Sequence, residues 1–120
     1  MTVSMQGFNK QVATFQRAAK SDGTGYTADV GALVKLSANG TVTDCANGDN
    51  FIGVCVGVDG DHCAVQLCGY VRVNLASTGA PTALGYGYLA ADGSGCVKEL
   101  STGREVLVLE IDGEEGALLL

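Results

Sequence analysis

The chain repeats itself, and few folds tolerate that. Residues 36–67 lie on residues 89–120 at a constant offset of 53 residues with no gap. Leu36-Ser-Ala38-Asn-Gly40 meets Leu89-Ala-Ala91-Asp-Gly93. Val58-Asp59-Gly60-Asp61 and Ala64-Val-Gln-Leu67 meet Ile111-Asp112-Gly113-Glu114 and Ala117-Leu-Leu-Leu120. Seven of the 32 positions are identical, and they fall on turn glycines, a turn acid and strand apolars, the positions that set a hairpin's geometry. The match therefore reads as one β-unit used twice. Catalytic residues rarely come in matched copies, so the repeat points to a scaffold and away from an enzyme.

Composition agrees. Eighteen glycines against one proline, Pro81, with 47% hydrophobic and 17% charged residues, suit many short strands joined by tight turns. At 120 residues the chain has room for one domain that buries roughly two-thirds of its unfolded surface. The expectation is an all-β fold, a small β-barrel or sandwich of about nine short strands built from two related hairpin units over residues 31–120, preceded by an N-terminal arm over residues 1–30.

Charge and cysteine usage narrow the function classes. A net charge of −6 and a pI of about 4.4, with no local cluster of Lys and Arg, repel a phosphate backbone, so no nucleic-acid partner is expected. No apolar run reaches the length of about 20 residues that a spanning helix requires. The start Met1-Thr-Val-Ser-Met-Gln lacks the basic and apolar blocks of an export signal, so we expect no membrane partner and a chain made in a reducing cytoplasm. Five cysteines, Cys45, Cys55, Cys63, Cys68 and Cys96, are then read as reduced, buried thiols.

The same residues offer little site chemistry. Cys63 and Cys68 are five apart, no C-x-x-C is present, and the single histidine, His62, neighbours Cys63 and so faces away from it on a strand; no metal is expected. Any triad would have to use His62 with Asp59 or Asp61, which are ordinary turn formers. Glu114 and Glu115 are adjacent carboxylates that read as solvated turn charge. Gly85-Tyr-Gly87 and Gly93-Ser-Gly95 do not lead into a helix that could hold a phosphate, so no cofactor is expected.

Along the chain, Met5 to Lys20 carries Lys10, Arg17 and Lys20, and Ser21-Asp-Gly-Thr-Gly25 separates it from the remaining residues. A helix over 9–20 and a strand over Gln11–Gln16 both fit, and the strand is preferred. The arm either adds an edge strand to the body or reaches onto a neighbouring subunit. In the second case Phe8, Phe15 and Tyr26 are its apolar contacts and Lys10, Arg17 and Lys20 meet acidic partners. Asn39-Gly40 marks a hairpin turn. Over 51–58, Ile52, Val54, Val56 and Val58 are expected to face the core. Cys63, Val65 and Leu67 are expected inside with His62, Ala64 and Gln66 outside; Val71, Val73 and Leu75 inside with Tyr70, Arg72 and Asn74 outside.

Several phrases carry a family likeness: Gly31-Ala-Leu-Val-Lys-Leu, Phe51-Ile-Gly-Val, Val65-Gln-Leu-Cys-Gly-Tyr-Val, Gly85-Tyr-Gly-Tyr-Leu and Val106-Leu-Val-Leu-Glu-Ile-Asp. In these the chain from Gly31 onward resembles the small capsid decoration, or cement, proteins of tailed bacteriophages; the arm lies outside the resemblance. The resemblance implies a non-enzymatic structural protein assembled in the host cytoplasm and carried on the outer surface of the virion. Its implied partner is the major capsid protein, and it often acts as a homotrimer at local threefold positions. A phage tail or fibre domain, or another β-rich binding module for protein or carbohydrate, stays open; for carbohydrate, Tyr70, Tyr86 and Tyr88 are the candidate aromatics. A small cysteine-dependent enzyme would need a thiol of lowered pKa.

Overall fold

The turn residues and the period-two alternation do produce strands throughout. The computed structural model describes residues 10–120, so Phe8 lies outside the described residues. Among the described residues ten strands occur in the order β1 Gln11–Arg17, β2 Leu33–Ala38, β3 Thr41–Asp44, β4 Gly53–Asp59, β5 His62–Cys68, β6 Tyr70–Leu75, β7 Gly85–Ala91, β8 Cys96–Glu99, β9 Arg104–Asp112 and β10 Glu115–Leu119. They close into two five-stranded barrels, ordered β1-β3-β2-β4-β5 and β6-β8-β7-β9-β10. The all-β reading holds, with ten strands in place of about nine.

The repeat is a repeat of whole barrels. Gly60 and Gly113, each at positive φ, turn β4 into β5 and β9 into β10. Both hairpins then carry a bulge at the same step, because Val65 faces Cys55 with Val56 left over, and Leu118 faces Val108 with Leu109 left over. The correspondence reaches back to the first strand. Arg17 lies beside Val42 in a parallel ladder as Leu75 lies beside Val97, and Ala18 donates to the Val42 carbonyl as Ala76 does to Val97.

The preferred strand over Gln11–Gln16 is therefore present, but its place corrects the expected division at residue 30. β1 pairs with β5 on one side and with β3 on the other, so it is neither an edge strand nor an arm apart from the body. Without it β5 would expose a row of unmet backbone groups, the liability that barrel closure removes. The structural division falls between β5 and β6.

Two core clusters result. Val34, Val42, Cys55, Cys63 and Val65 fill the first barrel with Ala28, and Phe15 and Leu67 pack against them. Val71, Val73, Leu75, Leu89, Val97, Val106, Val108 and Leu118 fill the second, joined there by Leu33, Cys45, Phe51 and Val54 of the first barrel. That shared cluster overturns one expected face. Val56 and Val58 are exposed, whereas Phe51, Gly53 and Cys55 are buried. The start of β4 is buried on both sides, Cys55 by its own barrel and Val54 by the other, and the bulge at Val56 then breaks the alternation. Gln66, expected outside, is also buried. Cys63, Val65, Val71, Val73 and Leu75 are buried as the alternation requires.

Gly53 marks how tightly this region packs. A Cβ there would collide with the Gln66 carbonyl and approach the Val65 side chain, while a Cβ on Gly57, four residues along the same strand, would meet open space. Gly53→Ala should accordingly lower unfolding stability by about 1–3 kcal/mol, and Gly57→Ala should change it by less than about 0.5 kcal/mol. Urea unfolding of the two variants side by side checks this; equal midpoints would show that the strand relaxes freely.

Candidate functional site

Several polar side chains are spent on holding the barrels, Asn50 on the Thr102 carbonyl and Lys98 on Asn47 among them. In the first barrel, the Arg17 guanidinium donates to the carbonyls of Thr27 (2.9 Å) and Gly60 (2.8 Å) and to the Asp29 carboxylate (2.8 Å), with the Tyr26 ring beside it. At the seam, Arg104 donates to the carbonyls of Ile52 (3.0 Å) and Leu67 (3.1 Å) and lies over the Phe51 ring. Its burial pulls the guanidinium's pKa down. Gln66 donates to the carbonyls of Cys68 and Tyr70, where the chain passes from one barrel to the next. The seam is completed by the loop after β3, in which Gly48 donates to Ala91 and Ala91 returns a bond to Asp49.

The expected contact residues separate accordingly. Phe15 packs into the first barrel and Arg17 is engaged as above, so neither side chain is presented as a free contact. Lys10, Lys20 and Tyr26 are exposed. The sequence treated these six as one group; the structure places one of the five it describes in a core, one in a polar tie and three on the surface.

Exposed apolar side chains gather elsewhere. Along β7 and the residue before it, Leu84, Tyr86 and Tyr88 all point outward from the second barrel and are exposed. Across the strands, Tyr86 stands beside Leu107, Leu107 beside Leu119, and Leu119 beside Tyr70. An ionic cluster borders this row: Arg72 pairs with Glu110 at 3.0 Å and with Glu115, and its Nη1 also reaches the Tyr70 hydroxyl. These bonds to the charged form drive the Arg72 pKa upward, Glu115 contributing most. Glu115, read as turn charge, is thus tied across two strands. Tyr70, Tyr86 and Tyr88 share the outward side of one barrel, as a stacking surface would need. The first barrel and its loops also expose apolar side chains, Val12, Tyr26, Val30, Leu36, Val56 and Val58.

The candidate chemical groups do not converge. His62 Nδ1 lies 2.6 Å from the Asp61 carboxylate in the exposed turn, while Cys63 points into the barrel beside Cys55. Burial raises the Cys63 and Cys96 thiols, and burial together with Asp49 raises Cys45 to about 11. All five cysteines carry free thiols. Among the described residues no group of three His, Cys, Asp or Glu is placed to hold a metal ion. Among the same residues no helix is long and apolar enough to cross a membrane.

No family model, curated protein or solved structure matches this chain. The arrangement of its own residues therefore carries the functional reading.

A thiol raised to about 11 holds only about one thiolate per thousand molecules at pH 8. Folded protein treated with iodoacetamide at pH 8 should therefore leave Cys45 unmodified over a period in which the urea-unfolded chain is alkylated at all five cysteines, as peptide mass mapping will show. Rapid labelling of Cys45 in the folded chain would contradict the burial described.

Proposed function

We propose that this protein decorates and stabilises the outer surface of a bacteriophage head by binding the major shell protein, without catalysing a reaction. The observation that carries the reading is the division of labour among its side chains. Arg17, Gln66 and Arg104 satisfy backbone carbonyls inside the fold, while Leu84, Tyr86, Tyr88 and Val58 are left outside. That is a rigid body offering contact area, with aromatic residues of the kind that dominate interface energy. Many symmetric copies on a shell add avidity without strong single contacts. The resemblance of phrases such as Phe51-Ile-Gly-Val to those of cement proteins suggests the partner, and the acidic surface, net −6, suits a body kept away from the packaged nucleic acid.

A second reading has an observation of its own. Tyr70, Tyr86 and Tyr88 on one outward side fit a tail, fibre or other binding module that stacks on sugar rings or a protein chain.

Sedimentation separates the two. Mixed with purified heads that lack it, the chain should pellet with them and raise the temperature at which they release DNA. Retention on tails or on immobilised host polysaccharide, with none on heads, would replace the first reading by the second.

A further inference from the structure

The outer row of the first barrel runs Leu33, Val54, Gln66, Val12 across β2, β4, β5 and β1. Its counterpart on the second barrel runs Tyr86, Leu107, Leu119, Tyr70 across β7, β9, β10 and β6. The two rows hold the same place, because each sits one pair beyond the shared bulge of its hairpin. Their surroundings differ. Leu33, Val54 and Gln66 are 3%, 6% and 3% exposed, covered by the second barrel, whose Arg72, Val73 and Asn74 lie across a narrow crevice from Leu33 and Val54. Val12, at the end of that row, is 46% exposed and stays outside the contact. In the second row Tyr86 is 75% exposed and Leu107, Leu119 and Tyr70 are half-buried. The three positions that a neighbouring barrel covers in one repeat are open to solvent, wholly or in part, in the next.

We propose that the uncovered row docks on the first barrel of a second copy of this chain, repeating between molecules the contact already made between barrels. The seat inside the chain uses Arg72 and Asn74 on β6 and Glu115 on β10. Their counterparts on the first barrel are Thr14, Gln16 and His62, since Leu75 corresponds to Arg17, and Glu115 faces Asp112 as His62 faces Asp59. All three are exposed, and Thr14 and His62 line a concavity of about 520 Å³ with Val58 and Ala64. The contact between copies is shallower than the one within. Arg104 stands where the first barrel has Phe51, and Ala28 already closes the first barrel's interior. Tyr86 and Tyr88 supply the area instead; two exposed tyrosines can contribute a few hundred of the roughly 800 Å² per partner that a specific interface needs.

A contact between unlike faces is heterologous, so each copy offers a row at one end and a seat at the other, and the chain of contacts closes into a ring if the rotation allows. The inference adds a self-association face to the proposed head-binding role. Its test uses the purified chain alone, so its failure leaves shell binding untouched and the reverse also holds.

Native mass spectrometry and sedimentation equilibrium at micromolar concentration should show a discrete oligomer. Tyr86→Glu on the row and Val58→Glu beside the seat, both at exposed positions, should each weaken association at least about tenfold and give monomers. Mixed in equal amounts, the two monomeric variants should form heterodimers and nothing larger, because one intact row meets one intact seat. The uncharged double variant Tyr86→Ser/Tyr88→Ser provides a second break of the row if Tyr86→Glu unfolds. A monomeric wild type, row variants that associate like the wild type, or a mixture that stays monomeric would each overturn the inference.

Discussion

The fold depends on the seam between its barrels, and the seam depends on Phe51 and Arg104. Phe51 leaves the first barrel and is buried in the cluster that fills the second. Arg104, from the start of β9, lies over its ring and ties the Ile52 and Leu67 carbonyls, one at each end of the β4–β5 hairpin. Even a half-buried guanidinium is costly unless its donors are met, and here two carbonyls and an aromatic face meet it. Arginine suits the place because its planar fork reaches two acceptors while its flat side stacks, which a lysine could not do. The barrels are too small to be indifferent to this contact: each has five strands, and the second borrows four first-barrel residues for its core.

The seam also explains why two copies of one unit have diverged. Where the first repeat has Leu33 and Val54 the second has Tyr86 and Leu107, and where the first has Phe51 the second has Arg104. The first set packs into a neighbour. The second faces outward or reaches back across the junction. Polar groups obey the same logic. Gln66 is buried with both amide donors used on the turn into β6, while its counterpart Leu119 needs no such partner at the open face. A duplicated barrel can keep its internal alternation and change only the residues whose surroundings changed.

Much of this was legible in the residues. The 53-residue offset located both hairpins and their turns, and period-two alternation marked Cys63, Val65, Val71, Val73 and Leu75 as inward. Gln11–Gln16 was readable as a strand, because Ala13 and Phe15 alternate with Thr14 and Gln16. Its partners were not readable, since β1 pairs with β5 and β3 across a long intervening stretch of chain, and no local pattern encodes a closure of that kind. The contact residues chosen from the arm fared unevenly for the same reason. Arg17 looks like surface charge until Thr27, Asp29 and Gly60 are brought around it. Tyr86 and Tyr88 were visible as aromatics, but that Tyr86 shares a row with Leu107, Leu119 and Tyr70 comes only from strand register.

The residues on their own dictate the local grammar: strands where apolar residues alternate, reversals at Asn39-Gly40, Asp59-Gly60 and Asp112-Gly113, and one unit used twice. These arise from steric and solvation preferences that act over a few residues. Which faces are inside is settled by tertiary packing alone. Period two gives a strand two sides and does not say which is buried. At the start of β4 both are, because a second barrel lies against the first. At β7 the side bearing Tyr86 is open, because no other described element lies against it.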